Sequence, residues 1–518
     1  MRRLTFLVAA VLVLMLAFNL WNREPYAGRS IESRAHKAPA FIGAAARPRP
    51  MTMSIDKLPF MAPQGVNTMH ADSYSSDVHP GGGPLGVDPI VNSRRGAKLP
   101  GGQCATLTFD SGGRLVALCA AISGFRIYLM EPRTLNLLAL MKLPVRPSTW
   151  AALIARDKSK IMEDSSGAYF YLDHEDRVVM ADSDQVVRRI AHGQDSDGDW
   201  EFYDDGAWDL SAHVPHDCVS PTNPWPDGEC DPITAVMPDY DGLIWWVTRH
   251  GRVGTLDTTT GRVQLTGLDH EEIQNGFSVA ANGVFVVSDH AMYRFAADGD
   301  GAPVVGWRES YDRGSSRKVG TINQGSGTTP TLLGDAYVTI TDNADERINL
   351  LVYRREQAFE GDRLVCRVPL FRAGHSVTDN SMIGIDRSIV IENNAGYTHS
   401  RGEHDWANAG GGIARIDIRH DESGCDTIWE SGERSTSVVP KLSLANGLAY
   451  FYTFDPQPGG ENAWYFTALD FVTGRTVFKI LTGAGLEFDN NWAPITLAPD
   501  GTAYVGTSVG IVAIRDGH

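Results

Sequence analysis

Ala493-Pro494-Ile495-Thr496-Leu497, a turn at Asp500-Gly501, then Ala503-Tyr504-Val505-Gly506: this stretch near the C-terminus decides the fold. It reads as two strands of β-branched and aromatic residues joined by the turn chemistry of an antiparallel pair. The same figure stands at Thr329-Pro330-Thr331-Leu332-Leu333 with Ala336-Tyr337-Val338-Thr339-Ile340, and at Val439-Pro440-Lys441-Leu442 with Ala449-Tyr450-Phe451-Tyr452. From Gln103 onward it returns about every 40–60 residues, each time followed by two weaker strands. A unit of this kind cannot bury both of its faces alone, so copies must stack around an axis. The expectation is an all-β chain folded as an eight-bladed β-propeller, with seven blades as the alternative count.

The innermost strands are placed near Cys104, Lys160, Ile233, Phe277, Thr329, Met382, Val439 and Ala493. In the second blade this puts Ala168 to Leu172 on the second strand and Arg177 to Ala181 on the third. The last blade has only three strands, so a segment just before Gln103 is expected to supply the fourth and close the ring. The stretch 195–231, with Trp200, Trp208 and Trp225, is too long for a simple connection and reads as a cap insertion.

Three N-terminal features set the domain plan. Met1-Arg2-Arg3 precedes an apolar run from Leu4 to Trp21 that is just long enough to span a bilayer and lacks a small-x-small cleavage site. Residues 1–22 are therefore expected to form a signal-anchor transmembrane helix, with a cleaved signal as the alternative. Residues 23–100, rich in Pro, Gly, Ala and Ser, read as an extracytoplasmic stalk, and 101–518 as the propeller. Both alternatives export the propeller, to the periplasm or the cell surface. The six cysteines are then expected as disulfides Cys218–Cys230, Cys104–Cys119 and, by elimination, Cys366–Cys425. A net charge of −17 argues against a nucleic-acid partner.

Ala468-Leu469-Asp470-Phe471-Val472-Thr473-Gly474-Arg475-Thr476-Val477-Phe478 resembles the blade-junction repeat of the quinoprotein (pyrroloquinoline-quinone) dehydrogenase superfamily, Ala-x-Asp-x-x-Thr-Gly-x-x-x-Trp. Leu256-Asp257-Thr258-Thr259-Thr260-Gly261-Arg262 is a second copy. The resemblance implies eight blades, a turn built on Asp and Thr-Gly, and a tryptophan docking one blade on the next. Phe478 and Leu265 stand where that tryptophan belongs, while Trp307 and Trp429 lie at comparable places in other blades. Adjacent cysteines, which some quinone enzymes place against the cofactor, are absent, so quinone binding is not expected and no catalytic residue is carried over.

Site candidates come from aligning blades. His174, His250 and His290 fall at equivalent positions after three successive second strands, and are the candidate catalytic residues. Asn275, Asp379, Asn380 and Asn491 lie on the approaches to innermost strands, and Asn393 and Asn394 in a second-to-third turn, all on the same face. His399 and His404 belong to a long loop that reads as covering this site. Asp195, Asp197 and Asp199 alternate as oxygen ligands do around calcium, though Trp200 stands where the EF-hand glycine belongs. A divalent metal other than calcium is the alternative cofactor.

The functional expectation is a membrane-tethered binding or scaffold propeller of the cell envelope. Its partners are the membrane, envelope proteins and a small or polymeric ligand. The alternative is an extracytoplasmic hydrolase, lyase or oxidoreductase working over the channel through the His/Asn/Asp ring.

Overall fold

The computed structural model describes residues 13, 15 and 26–517, other than 27, 35–36, 55–56, 99–100, 122, 158, 398–408 and 459–460. Eight antiparallel sheets follow one another along the chain, so the propeller has eight blades. They span 101–142, 171–209, 233–267, 278–310, 331–369, 383–431, 441–484 and 495–515. The fourth strand of blade 8 is Ile90–Arg95, which pairs antiparallel with Gly510–Arg515 from Ile90↔Arg515 to Arg95↔Gly510. The ring thus closes with the strand that the sequence places just before Gln103, and the open edge disappears.

Trp429, in the outer strand of blade 6, donates its indole N–H to the Phe471 carbonyl of blade 7 at 3.0 Å. Gly474 is what admits it: a Cβ at this position would lie 2.3 Å from the Trp429 ring. The turn is held by Asp470, whose Oδ1 accepts from the Thr473 amide and hydroxyl, each at 2.8 Å. Trp307 repeats the docking from blade 4 to the Arg355 carbonyl of blade 5. In blade 7 Asp470 and Thr473-Gly474 therefore shape a socket that Trp429 of the preceding blade fills, whereas a Cβ on Gly261 of the second copy would meet nothing within 4 Å.

Blade 2 departs from the expected alignment. Its innermost strand is only Tyr171–Leu172, its second is Val178–Ala181, and Val186–Gln194 and Trp200–Asp209 complete it. The segment around Lys160 is instead helical: Pro147–Ala155 is followed by the single turn Ser159–Met162. Pro147 opens the first helix, where its missing N–H costs nothing, and Arg156 ends it in the left-handed conformation. A two-residue innermost strand carries too little pattern to outweigh an apolar helical run. The expected cap insertion is divided accordingly, since 200–209 is the outer strand of blade 2 and only 210–231 is connection.

In place of a stalk over 23–100, the chain runs back into the propeller. Every residue from 66 to 79 is buried, and this segment threads the central channel. Its carbonyls accept from innermost-strand amides in turn: Asn67 from Leu172, Ser73 from Val279, Tyr74 from Leu332, Ser76 from Gly384 and Asp77 from Leu442, all at 2.7–2.9 Å. Val78–His79 then pairs parallel with Leu442–Ser443. Ala71, Ser75 and Asp77 hold positive φ, which turns successive carbonyls toward successive blades. A plug made of turns has no hydrophobic period, so its composition resembles a linker.

Three disulfides, Cys104–Cys119, Cys218–Cys230 and Cys366–Cys425, match the expected pairing, the last joining the outer strands of blades 5 and 6. The expected membrane helix over Leu4 to Trp21 lies outside the described residues, Val13 and Met15 apart. Among the described residues no helix is long and apolar enough to cross a membrane.

Candidate functional site

In a four-stranded blade the second-to-third turn and the approach to the innermost strand share one end. On that face, at the centre of the ring, lies an open-mouthed cavity of about 110 Å³. Met69 and His70 of the plug form part of its lining, so the channel is closed behind it. Approaches to the innermost strands supply Gln103, Tyr169, Asn275, Asp379, Asn380, Asn491 and Trp492, and the segment between blades 1 and 2 adds Arg146 and Ile161.

Asp379 is the pocket's most perturbed group. It is 6% exposed, and Oδ2 has no hydrogen-bond partner. Burial pushes its carboxyl up to about 8, against the smaller pull of the Ile322 amide, the Trp492 side chain and Arg317. Gly327 lets the chain pass this close, since a Cβ there would lie 2.7 Å from the Asp379 Cα. Asn380 donates to Glu392 Oε1 at 2.9 Å, and Ser435 donates to the other oxygen of that fully buried carboxyl. Burial holds Glu392 well above the usual carboxylate range. Beside the pocket, Asp489 is likewise pushed up to about 8 by burial, and the Tyr397 hydroxyl bonds its carboxyl at 3.0 and 3.1 Å.

The pocket floor is anchored by a buried ion pair. Lys441 Nζ lies 2.7 Å from Asp77 Oδ1 and donates to the Met69 carbonyl at 2.9 Å. Asp77 Oδ2 accepts from the Ser381 hydroxyl at 2.5 Å and stands 3.7 Å from His70 Nδ1. His70 Nε2 is 3.4 Å from the Thr329 hydroxyl.

Four of the expected ligand-binding residues, Asn275, Asp379, Asn380 and Asn491, do line the pocket. Asn393 and Asn394 brace it from behind. Asn393 Oδ1 accepts from the amides of Val377 and Ala395, and Asn394 Oδ1 accepts from the Asp379 amide at 2.9 Å. His399 and His404 lie outside the described residues.

The three expected catalytic histidines do not form a common site. His174 occupies the turn between the first and second strands of blade 2, at the opposite end of the blade, because Val178–Ala181 is the second strand and not the third. It is 47% exposed and packs on the edge of Phe60. His250 and His290 do share the second-to-third turn of blades 3 and 4, but neither lines the pocket. His290 Nδ1 is 2.8 Å from the neighbouring Asp289, and His250 Nδ1 is 3.3 Å from Glu229.

Asp195, Asp197 and Asp199 form the hairpin turn between the third and fourth strands of blade 2. Asp195 Oδ1 accepts from the amides of Asp197 and Asp199 at 2.9 and 3.0 Å, so the alternating carboxylates serve the turn itself. Glu229, Asp231 and His250 bring ligand atoms within 4.8 Å of one another, but the Arg252 guanidinium already bonds both carboxylates. Sequence reasoning missed Met69, His70, Tyr169, Arg146 and Trp492. Tyr169 sits within the Ala168 to Leu172 segment, which reads as a strand and not as part of the site, and Trp492 lies next to Asn491.

The fold and the closed-backed pocket define an eight-bladed propeller with a central cavity. No known protein family description matches the chain. An uncharacterised protein of Archaeoglobus fulgidus is 27% identical over 316 residues, covering 54% of this chain and 60% of that protein. Among solved structures, BamB from Moraxella catarrhalis aligns at 13% identity and a TM-score of 0.38, over 65% of this chain and 93% of its own. Streptogramin B lyase gives 9% and 0.37 over 82% and 97%, and the computationally designed protein Ika8 gives 12% and 0.44 over 81% and 97%. The blade count rests on the sheet pairing itself, independently of these likenesses.

Proposed function

We propose that this protein is a membrane-tethered, extracytoplasmic binding propeller of the cell envelope whose central pocket takes a small molecule. The pocket carries this reading. It is concave, closed behind by the chain's own plug, lined largely by apolar and aromatic side chains, and furnished with a few convergent polar groups. Three disulfides with no free cysteine among the described residues support an oxidising compartment. The basic-then-apolar start of the chain supports a tether.

Native mass measurement and thermal denaturation of the full-length protein against a small-molecule panel test the pocket. An Ala105→Trp variant, which fills the cavity from blade 1, is expected to lose every stabilising ligand found with the parent while unfolding as cooperatively. Stabilising ligands that act equally on both proteins would place binding elsewhere. Fractionation tests the tether: the propeller is expected with the membranes and open to protease from the extracytoplasmic side.

A further inference from the structure

We propose that the central pocket selects an organic cation, a protonated amine on a compact apolar body, with Asp379 as its counter-ion. This inference rests on the pocket being a ligand site, and it names the chemistry of the ligand.

The first argument is the sign of the unpartnered atoms. Asp379 Oδ2 and Asn491 Oδ1 both belong to pocket-lining residues at most 6% exposed, and neither oxygen has a partner. Buried polar atoms are almost always paired, so these two oxygens, with His70 Nδ1 on the same wall, mark where a ligand completes the bonding. Once ionised, the Asp379 carboxylate accepts, as the amide oxygen does, so a ligand that pairs with both donates.

The second argument is charge. Arg146 is the one arginine or lysine among the described lining residues, and it is already held. Its Nη1 donates to the Asp164 carbonyl at 2.6 Å and lies 3.6 Å from that residue's carboxylate, while the guanidinium stacks on Phe125 at 4.6 Å. Lys441, below the floor, is occupied by Asp77. Arg317 exerts a pull on Asp379, but its guanidinium is tied to Glu163 at 3.2 Å and to the Ile322 carbonyl at 3.0 Å. Among the described residues no free arginine or lysine lines the pocket to receive a phosphate or carboxylate, and Asp379 has no cation bonded to it.

The third argument is the wall. Tyr169, Trp492 and Phe125 line the same cavity and present aromatic surface to it. Aromatic faces attract a cation and solvate its carbon body. Burial pushes the Tyr169 hydroxyl up to about 12, so it stays neutral beside the acid. The empty pocket keeps Asp379 protonated, and an entering ammonium ionises it. Proton balance follows directly: the Asp379 proton leaves to solvent as the ammonium–carboxylate pair forms.

Titration calorimetry of the full-length protein with phenethylammonium, neutral 2-phenylethanol and anionic phenylacetate tests this. Phenethylammonium is expected to bind about tenfold or more tightly than the alcohol, with phenylacetate weakest. At pH 7 its heat should vary with the buffer's ionisation enthalpy, reporting release of about one proton. Asp379→Asn, which is nearly isosteric, is expected to reduce amine affinity to that of the alcohol and to abolish the proton release. Asn491→Leu is expected to weaken the amine and spare the alcohol. Equal binding of amine and alcohol would overturn the cation inference and leave the pocket reading intact. Binding of none of the three would overturn both.

Discussion

Asp379 and Asp489 are acids that this fold keeps protonated near neutrality, and that has a measurable consequence for stability. Both are pushed up to about 8 by burial, whereas in the unfolded chain they titrate near 3.8. Between those values the folded protein holds protons that the unfolded chain has lost, so stability falls as pH rises through the window. His79 acts in the opposite direction. Burial lowers it from 6.5 to about 4, so it favours the folded state increasingly from pH 4 up to 6.5. From pH 6.5 to 8 His79 no longer opposes the fall, and Glu392, which burial also raises, acts in the same direction as the two aspartates. Each aspartate contributes a slope of about 1.4 kcal/mol per pH unit well below pH 8 and half of that at pH 8, about 3 kcal/mol for the pair over the window. Denaturant titrations at the two pH values are expected to show this fall in the parent and a smaller one in Asp379→Asn/Asp489→Asn, where the contribution of Glu392 remains. An undiminished fall in the double variant would assign the dependence to other groups.

At the scale of elements, the plug explains both what sequence reading reached and where it stopped. Blades 3 to 8 announce themselves because an innermost strand, a Gly or Asn turn and an aromatic second strand repeat in order. Asn275, Asp379, Asn380 and Asn491 follow from that register alone, and they do line the pocket. Blade 2 fails because the segment near Lys160, read as its innermost strand, is a helical turn, so counting from it makes Tyr171–Leu172 the second strand and puts His174 on the opposite face from the one it occupies. The plug fails for another reason. Its stabilisation comes from carbonyls meeting distant innermost strands and from one ion pair, and neither leaves a local pattern. That ion pair gives the sharpest test. Lys441 and Asp77 are 1% and 0% exposed. Lys441→Met leaves a buried carboxylate unpaired and is expected to cost about 3–5 kcal/mol, while adding Asp77→Asn should recover much of it. Chemical denaturation of the two variants measures the difference. Equal stability of Lys441→Met and the parent would show that the plug does not depend on this pair.

For the whole molecule, the N-terminal hundred residues belong to the ring in two separate ways. Ile90–Arg95 closes blade 8, and 66–79 fills the channel and lines the pocket. Each blade packs chiefly on its neighbours, so an eight-bladed ring with one outer strand missing has an exposed edge where blades 8 and 1 meet. The innermost strands of blades 2, 4, 5, 6 and 7 would also lose the acceptors that the plug supplies. Two truncations separate tether from fold. Removing residues 1–25 takes away the apolar run and keeps both plug and closing strand, and the product is expected to unfold cooperatively near the parent's midpoint with its pocket intact. Removing residues 1–98 deletes plug and closing strand together, and the product is expected to aggregate or to show exposed apolar surface by dye binding. Size-exclusion profiles and thermal denaturation distinguish the two. A monomeric, cooperatively folded 99–518 fragment would mean that the blades alone carry the ring. The pocket would then be an open channel, and a ligand held against Met69 and His70 would be lost with the segment that bears them.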